Sequence, residues 1–101
     1  MSEQQPEKKA VRIKIEIDDK LAGGVYCNLC LVNHSDSEFV MDTFFLQPQK
    51  PAARHQNRVV FSPKTAKRLY ALLGKNIERY EKLFGKIELI GPQMPEPDVQ
   101  N

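Results

Sequence analysis

The chain has 101 residues, of which 41% are hydrophobic and 28% are charged, and its formal net charge at pH 7 is +2. This length predicts one domain with a modest core, and these fractions are typical of a soluble globular protein. So small a net charge does not by itself favour nucleic acid or an anionic membrane as a partner, and the apolar runs are shorter than the roughly 20 residues that a membrane helix needs.

The two ends of the chain are polar. Residues 1–10 predict a disordered leader without the apolar segment of a signal peptide, and the Pro-rich residues 91–101 predict a flexible tail. Residues 11–90 are then a single α+β domain. Two cysteines in a chain without an export signal are expected to be reduced thiols, so we expect a cytoplasmic protein.

Three segments in the first half of the chain predict strands. Residues 11–17 alternate strictly between apolar and charged side chains, which is the period of a strand with one wet face. After a connector containing Gly23 and Gly24, Val25–Asn33 and Glu38–Leu46 are apolar on both faces and are joined by the four polar residues 34–37. So short a link between two strands predicts an antiparallel hairpin.

The second half predicts a loop, a short strand and a long helix. Residues 47–56 are polar and contain two prolines, which favours an exposed loop, and Asn57–Phe61 reads as a fourth strand. Ser62 is a good N-cap, Pro63 fits the first helical position, and Gly85 suits the residue after the helix C-terminus. The helix carries one apolar stripe with a spacing of three or four residues: Ala66, Leu69, Tyr70, Leu73, Ile77, Tyr80 and Phe84.

The predicted fold is therefore α+β, a four-stranded antiparallel sheet followed by one long C-terminal helix. Four strands at about 4.8 Å spacing make a sheet roughly 19 Å wide, whereas a helix is only about 10–12 Å across. One helix cannot cover both apolar faces, so we expect a homodimer or larger assembly; the alternative is a monomer wrapped by its loops and residues 86–90. The predicted self-association or partner surface comprises Tyr26, Phe39, Met41, Phe44, Phe45, Leu73 and Ile77.

No group of residues specifies a catalytic or metal site. Cys27 and Cys30 form a C-x-x-C pair, but residues three apart on a strand point to opposite faces, so we expect buried thiols without a metal or redox role. His34 and the serines after it are explained by turn chemistry. We therefore expect no catalytic residues, no metal and no cofactor.

A local excess of positive charge surrounds the predicted start of the helix. Cations there oppose the helix dipole, so they suggest an anion, a nucleic-acid backbone or an acidic partner, although a solvated basic face is the simpler interpretation. The residues concerned are Arg54, Arg58, Lys64, Lys67 and Arg68.

Two series of residues resemble a family of short bacterial proteins of unknown function. In that family a strand ending in His-Ser-x-Ser-Glu-Phe is followed by a second strand and a Pro-led helix ending in Tyr-Glu-x-x-Phe-Gly. The matching residues are His34, Ser35, Ser37, Glu38 and Phe39, then Pro63, Ala66, Leu69, Asn76, Ile77, Tyr80, Glu81, Phe84 and Gly85. The resemblance covers about residues 11–87 and implies a cytoplasmic protein of this fold, but no activity.

The order of the predicted elements is also similar to that of the bacterial export chaperone that binds unfolded preproteins as a dimer of dimers. This likeness rests on topology alone. We therefore expect a non-enzymatic, oligomeric protein–protein interaction module, with chaperone-like peptide binding as one form of it. The alternative is a nucleic-acid-binding protein that uses the basic residues.

Overall fold

A computed structural model describes residues 11–89 of the chain. A short helix, α1 (Asp19–Ala22), precedes three strands, β1 (Leu29–His34), β2 (Phe39–Leu46) and β3 (Ala53–Phe61), and a long helix, α2 (Pro63–Phe84), follows them. The predicted leader and the predicted tail lie outside the described residues. Within residues 11–89, the α+β class with an antiparallel sheet and a C-terminal helix is confirmed.

The sheet of the described residues has three strands in the order β1-β2-β3, and both pairs are antiparallel. The predicted hairpin of β1 and β2 is confirmed, with His34 opposite Phe39 and Leu29 opposite Phe44. The prediction of four strands is wrong. Residues 11–17 form no strand. The alternation of apolar and charged residues shows which side chains would share a face of a strand, but a strand also needs a neighbouring backbone to hydrogen-bond with, and the described chain places none beside this segment.

The remaining strand boundaries also differ from the prediction. β1 begins at Leu29 rather than Val25, and β3 extends back to Ala53 through residues that were predicted to form a loop. The polar run that opens β3 lacks strand periodicity, but it lies alongside the eight residues of β2 and completes their pairing. The connector before β1 contains α1, which is capped by the side chain of Asp18 accepting a hydrogen bond from Lys20 N.

The predicted end signals of α2 are both confirmed. Ser62 is the N-cap and its hydroxyl oxygen accepts from Thr65 N at 3.1 Å, and Pro63 begins the helix. Gly85 ends it with φ 101°, a left-handed value that a side chain would disfavour. Beyond it, residues 86–89 form neither strand nor helix, and Ile87 N donates to Glu81 Oε2 at 2.9 Å.

The described residues contain no buried hydrophobic side chain. Asp42 is buried, being 5% exposed, whereas α2 buries none of its residues and the large apolar side chains of its stripe are exposed. A fold of this kind has its secondary structure but no closed core of its own.

Candidate interaction surface

The two faces of the sheet differ in polarity. Residues opposite each other on neighbouring strands share a face, so the register assigns each strand residue to one side. The side called here the apolar face carries His34, Val32, Phe39, Met41, Val59 and Phe61 at one end, and Cys30, Thr43, Phe45, Asn57 and Arg54 towards the other end. The other side, called the polar face, carries Asn33, Asp42, His55 and Arg58 among Leu29, Leu31, Val40, Phe44 and Val60.

A row of three rings crosses the apolar face. The rings of His34 and Phe39 stack with their centroids 5.1 Å apart, and the Phe39 and Phe61 centroids are 6.4 Å apart with an interplanar angle of 25°. In the adjacent row Met41 lies between Val32 and Val59, and both valines are exposed. The two rows make a continuous apolar patch that spans all three strands.

The polar face is organised around Asp42. Arg58 donates to both carboxylate oxygens, from Nε to Oδ1 at 2.7 Å and from Nη2 to Oδ2 at 3.1 Å. His55 Nε2 lies 2.8 Å from the same Oδ1, and the imidazole packs against Phe44 with centroids 5.1 Å apart. The Arg58 guanidinium holds the pKa of Asp42 below its usual range, and the carboxylate in turn raises the pKa of Arg58.

A β-bulge in β3 places His55 and Arg58 on the same face of the sheet as Asp42. Thr43 pairs with Asn57 and Phe44 pairs with His55, so Gln56 is the extra residue on β3. Without it, His55 and Arg58 would lie three residues apart on a regular strand and would point to opposite faces. Sequence reasoning missed the cluster because nothing in the residues around Gln56 predicts a bulge.

The segment before β1 is held against the end of β2 by Asn28. Its side-chain Nδ2 donates to Leu46 O at 3.1 Å, and its Oδ1 accepts from Leu46 N at 2.7 Å. The Tyr26 ring then contacts Phe45 edge-on, with centroids 6.4 Å apart. Phe45 lies on the side of the apolar face, whereas the neighbouring Phe44 lies on the polar face.

Cys27 and Cys30 lie closer together than predicted. Their sulfur atoms are 3.9 Å apart, because β1 begins at Leu29 and Cys27 therefore lies in irregular backbone. The expectation that they point to opposite faces and are buried is wrong, since Cys30 is exposed. Both are free thiols, and partial burial together with the contact to Cys27 raises the pKa of Cys30, which disfavours a reactive thiolate.

The turn after β1 is built as its composition predicts. Ser35 Oγ accepts hydrogen bonds from Ser37 N and Glu38 N, each at 3.2 Å, and Ser35 N donates to Glu38 O at 2.9 Å. His34 Nδ1 lies 3.2 Å from the Ser35 carbonyl. These bonds are those of a serine-stabilised turn.

The predicted interaction residues lie on three different surfaces. Phe39 and Met41 belong to the apolar face, and Tyr26 and Phe45 adjoin it. Phe44 lies on the polar face against His55. The other two predicted residues, Leu73 and Ile77, are exposed on α2.

The predicted basic residues are not gathered into one site. Arg58 is engaged by Asp42, and Arg54 pairs with Phe45 on the other side of the sheet. Eight extended residues, about 26 Å, separate Arg54 from the cap of α2. Lys64, Lys67 and Arg68 are exposed in the first turns of that helix.

A family model for proteins of unknown function, DUF3467, matches residues 1–89. The chain belongs to this family. The expected membership of a family without known function is thereby confirmed. No curated protein and no solved structure matches the chain.

No helix of residues 11–89 combines the length and apolar character needed to cross a bilayer. In the same residues, no three or more His, Cys, Asp or Glu side chains converge as ligands for a metal ion.

Proposed function

We propose that the protein is a non-enzymatic, homo-oligomeric interaction module whose apolar face and α2 stripe are covered by other copies and by a protein partner. One observation carries this proposal. Although 41% of the chain is hydrophobic, no hydrophobic side chain of residues 11–89 is buried within one copy. A soluble monomer seldom exposes a contiguous apolar patch of more than a few hundred Å².

The polarity of the sheet favours the apolar face as the surface between copies. The polar face presents Asp42, His55 and Arg58 at its middle, and Arg58 and His55 keep much of their side chains in water. Covering that face would remove these charges from solvent, which is costly unless the partner offers matching groups. Covering the Val32–Met41–Val59 row of the apolar face would remove no charged group from solvent.

The edge strand β1 suits an extended peptide from another protein. Its sequence, LCLVNH, contains neither lysine nor proline, the residues with which natural edge strands commonly block further pairing. A peptide that adds there would gain main-chain hydrogen bonds and could place alternate apolar side chains beside the apolar face. This is the chaperone-like form of the proposed function.

Light scattering on the purified protein tests self-association, with two neighbouring valines as a matched pair. Val59 lies on the apolar face and is 40% exposed, whereas Val60 lies on the polar face and is 50% exposed. We expect Val59→Glu to lower the native mass towards that of a monomer and Val60→Glu to retain the assembly. A monomeric wild-type protein would overturn the proposed function, and equal effects of both substitutions would overturn the assignment of the face.

Peptide binding is tested with extended peptides of alternating apolar residues and a hydrophobic dye. We expect the assembled protein to bind both, and Val32→Lys on β1 to reduce peptide binding, because a charge on the apolar face would lie beside the apolar side chains of the added peptide. Asn33→Lys, one residue further along β1, is the control on the other face. Absence of peptide binding by the assembled wild type would remove the chaperone-like form and leave self-association.

A further inference from the structure

Residues 11–18 have the alternating pattern of a strand but belong to no strand or helix of the described chain. Val11, Ile13, Ile15 and Ile17 are 70–78% exposed. Residues 11–17 make no backbone–backbone hydrogen bond within the described chain. The segment ends at Asp18, where the cap of α1 begins.

The charges on the other side of this segment have a self-complementary order. Arg12 and Lys14 are positive, and Glu16 and Asp18 are negative, with Ile15 at the centre of the four. When two such segments run antiparallel with the Ile15 residues opposite each other, Arg12 faces Asp18 of the other copy and Lys14 faces its Glu16. The two paired segments then make four opposite-charge contacts, since the Arg12–Asp18 and Lys14–Glu16 contacts each occur twice.

Other alignments lose this match. An in-register parallel pairing places each charge beside its own like charge, which is destabilising. Moving the antiparallel register by two residues places either Lys14 opposite Lys14 or Glu16 opposite Glu16. A shift by one residue moves the apolar side chains to the other face. Of these alignments, the one centred on Ile15 satisfies both the charges and the apolar face.

We propose that residues 11–18 pair antiparallel with the same segment of a second copy, about a two-fold axis that passes between the two Ile15 residues. The inference rests on the proposed self-association and specifies one of its contacts. Such an isologous contact is the commonest kind in homodimers. Its apolar side, with two copies each of Ile13, Ile15 and Ile17, packs on apolar surface elsewhere in the assembly, because a two-stranded ribbon alone is only marginally stable.

The contacts within one copy leave these charges available. Lys14 Nζ and Glu16 Oε2 are 3.9 Å apart with both side chains exposed, an ion pair of the kind that contributes little. In the described chain Asp18 uses its Oδ1 atom to accept from Lys20 N at 2.9 Å. Its other carboxylate oxygen can meet Arg12 of the second copy without disturbing the helix cap.

Cysteine cross-linking tests the axis directly in the full chain carrying Cys27→Ser and Cys30→Ser. The Ile15→Cys variant places two thiols opposite each other, so we expect mild oxidation to give a disulfide-linked dimer. The two copies of an Ile13→Cys variant would lie about 13 Å apart along the strands, beyond the reach of a disulfide. Coexpressed Ile13→Cys and Ile17→Cys chains should form the mixed disulfide in preference to either homodimer.

Charge reversal supplies an independent test that uses no cysteine. Lys14→Glu replaces two favourable cross-strand pairs by two repulsive ones, and we expect it to weaken dimerisation by about tenfold or more at low salt. The double variant Lys14→Glu/Glu16→Lys restores opposite charges at the same positions and should recover most of the loss. Failure of both the cross-link and the charge rescue in a protein that light scattering shows to be oligomeric would overturn the pairing while retaining the proposed function.

Discussion

Replacing Asn28 by alanine should destabilise the protein more than any ordinary surface substitution. The Asn28 amide makes two hydrogen bonds with the backbone of Leu46, at 3.1 Å and 2.7 Å, and both are partly buried. It thereby fastens the segment before β1 to the last residue of β2. Alanine removes the two side-chain groups and leaves both backbone groups of Leu46 without these partners.

The expected loss follows from the number of bonds. A net contribution of about 0.5–1.5 kcal/mol for each hydrogen bond gives about 1–3 kcal/mol for the pair. In a domain of this size, about 2 kcal/mol corresponds to a fall in Tm of about 8–16 °C. Asn33→Ala is the matched control, because Asn33 is exposed on β1 and makes no side-chain hydrogen bond in the described part of the chain.

Thermal unfolding followed by circular dichroism measures the difference. All variants must be compared at one protein concentration, because association makes Tm depend on concentration. A fall in Tm for Asn28→Ala no greater than that for Asn33→Ala would refute the reasoning. It would show that water or another group replaces the amide at Leu46 without cost.

Three further outcomes are expected. Because Arg58 lowers the pKa of Asp42 below its unfolded value of about 3.9, the ion pair stabilises the fold fully above that pH, and this contribution is lost as the pH falls through the lower folded pKa. The urea midpoints of wild type and Asp42→Asn should therefore converge on acidification, and a constant gap between them would contradict this. Ser62→Ala removes the bond to Thr65 N and should cost about 1 kcal/mol in urea unfolding, whereas an unchanged midpoint would mean the cap is dispensable. Gly74→Ala should stabilise α2 by about 0.5–1 kcal/mol, because an added Cβ meets nothing within 4 Å, and a lower native mass instead would place the backbone of another copy at Gly74.

Local signals predicted α2 well because each depends on neighbouring residues. The hydroxyl of Ser62 caps the amide of Thr65 three residues away, and Gly85 takes a φ that its own lack of a side chain allows. The turn at Ser35 was predictable for the same reason, since its bonds join residues no more than three positions apart. Helices and turns of this kind are encoded over a few residues.

The sheet was predicted less well because its bonds join distant residues. The alternation in residues 11–17 is real, but the described chain provides no strand beside it, so this first predicted strand does not form within one copy. Conversely, the polar start of β3 became a strand because β2 lies alongside it. In both cases the availability of a neighbouring strand outweighed intrinsic preference: residues 11–17 have a strand pattern without a partner, and the polar start of β3 has a partner without the pattern.

The sequence by itself determined the α+β class, the central hairpin, the long helix and an apolar content that one helix could not cover. Only the tertiary structure decided which face of the sheet is apolar, because the bulge at Gln56 turns both His55 and Arg58 towards Asp42. It also decided that Cys27 and Cys30 converge, since β1 begins two residues after Cys27. The physical reason is the same throughout: the side to which a strand residue points depends on where its pairing starts and shifts, and pairing is set by residues far away in the chain.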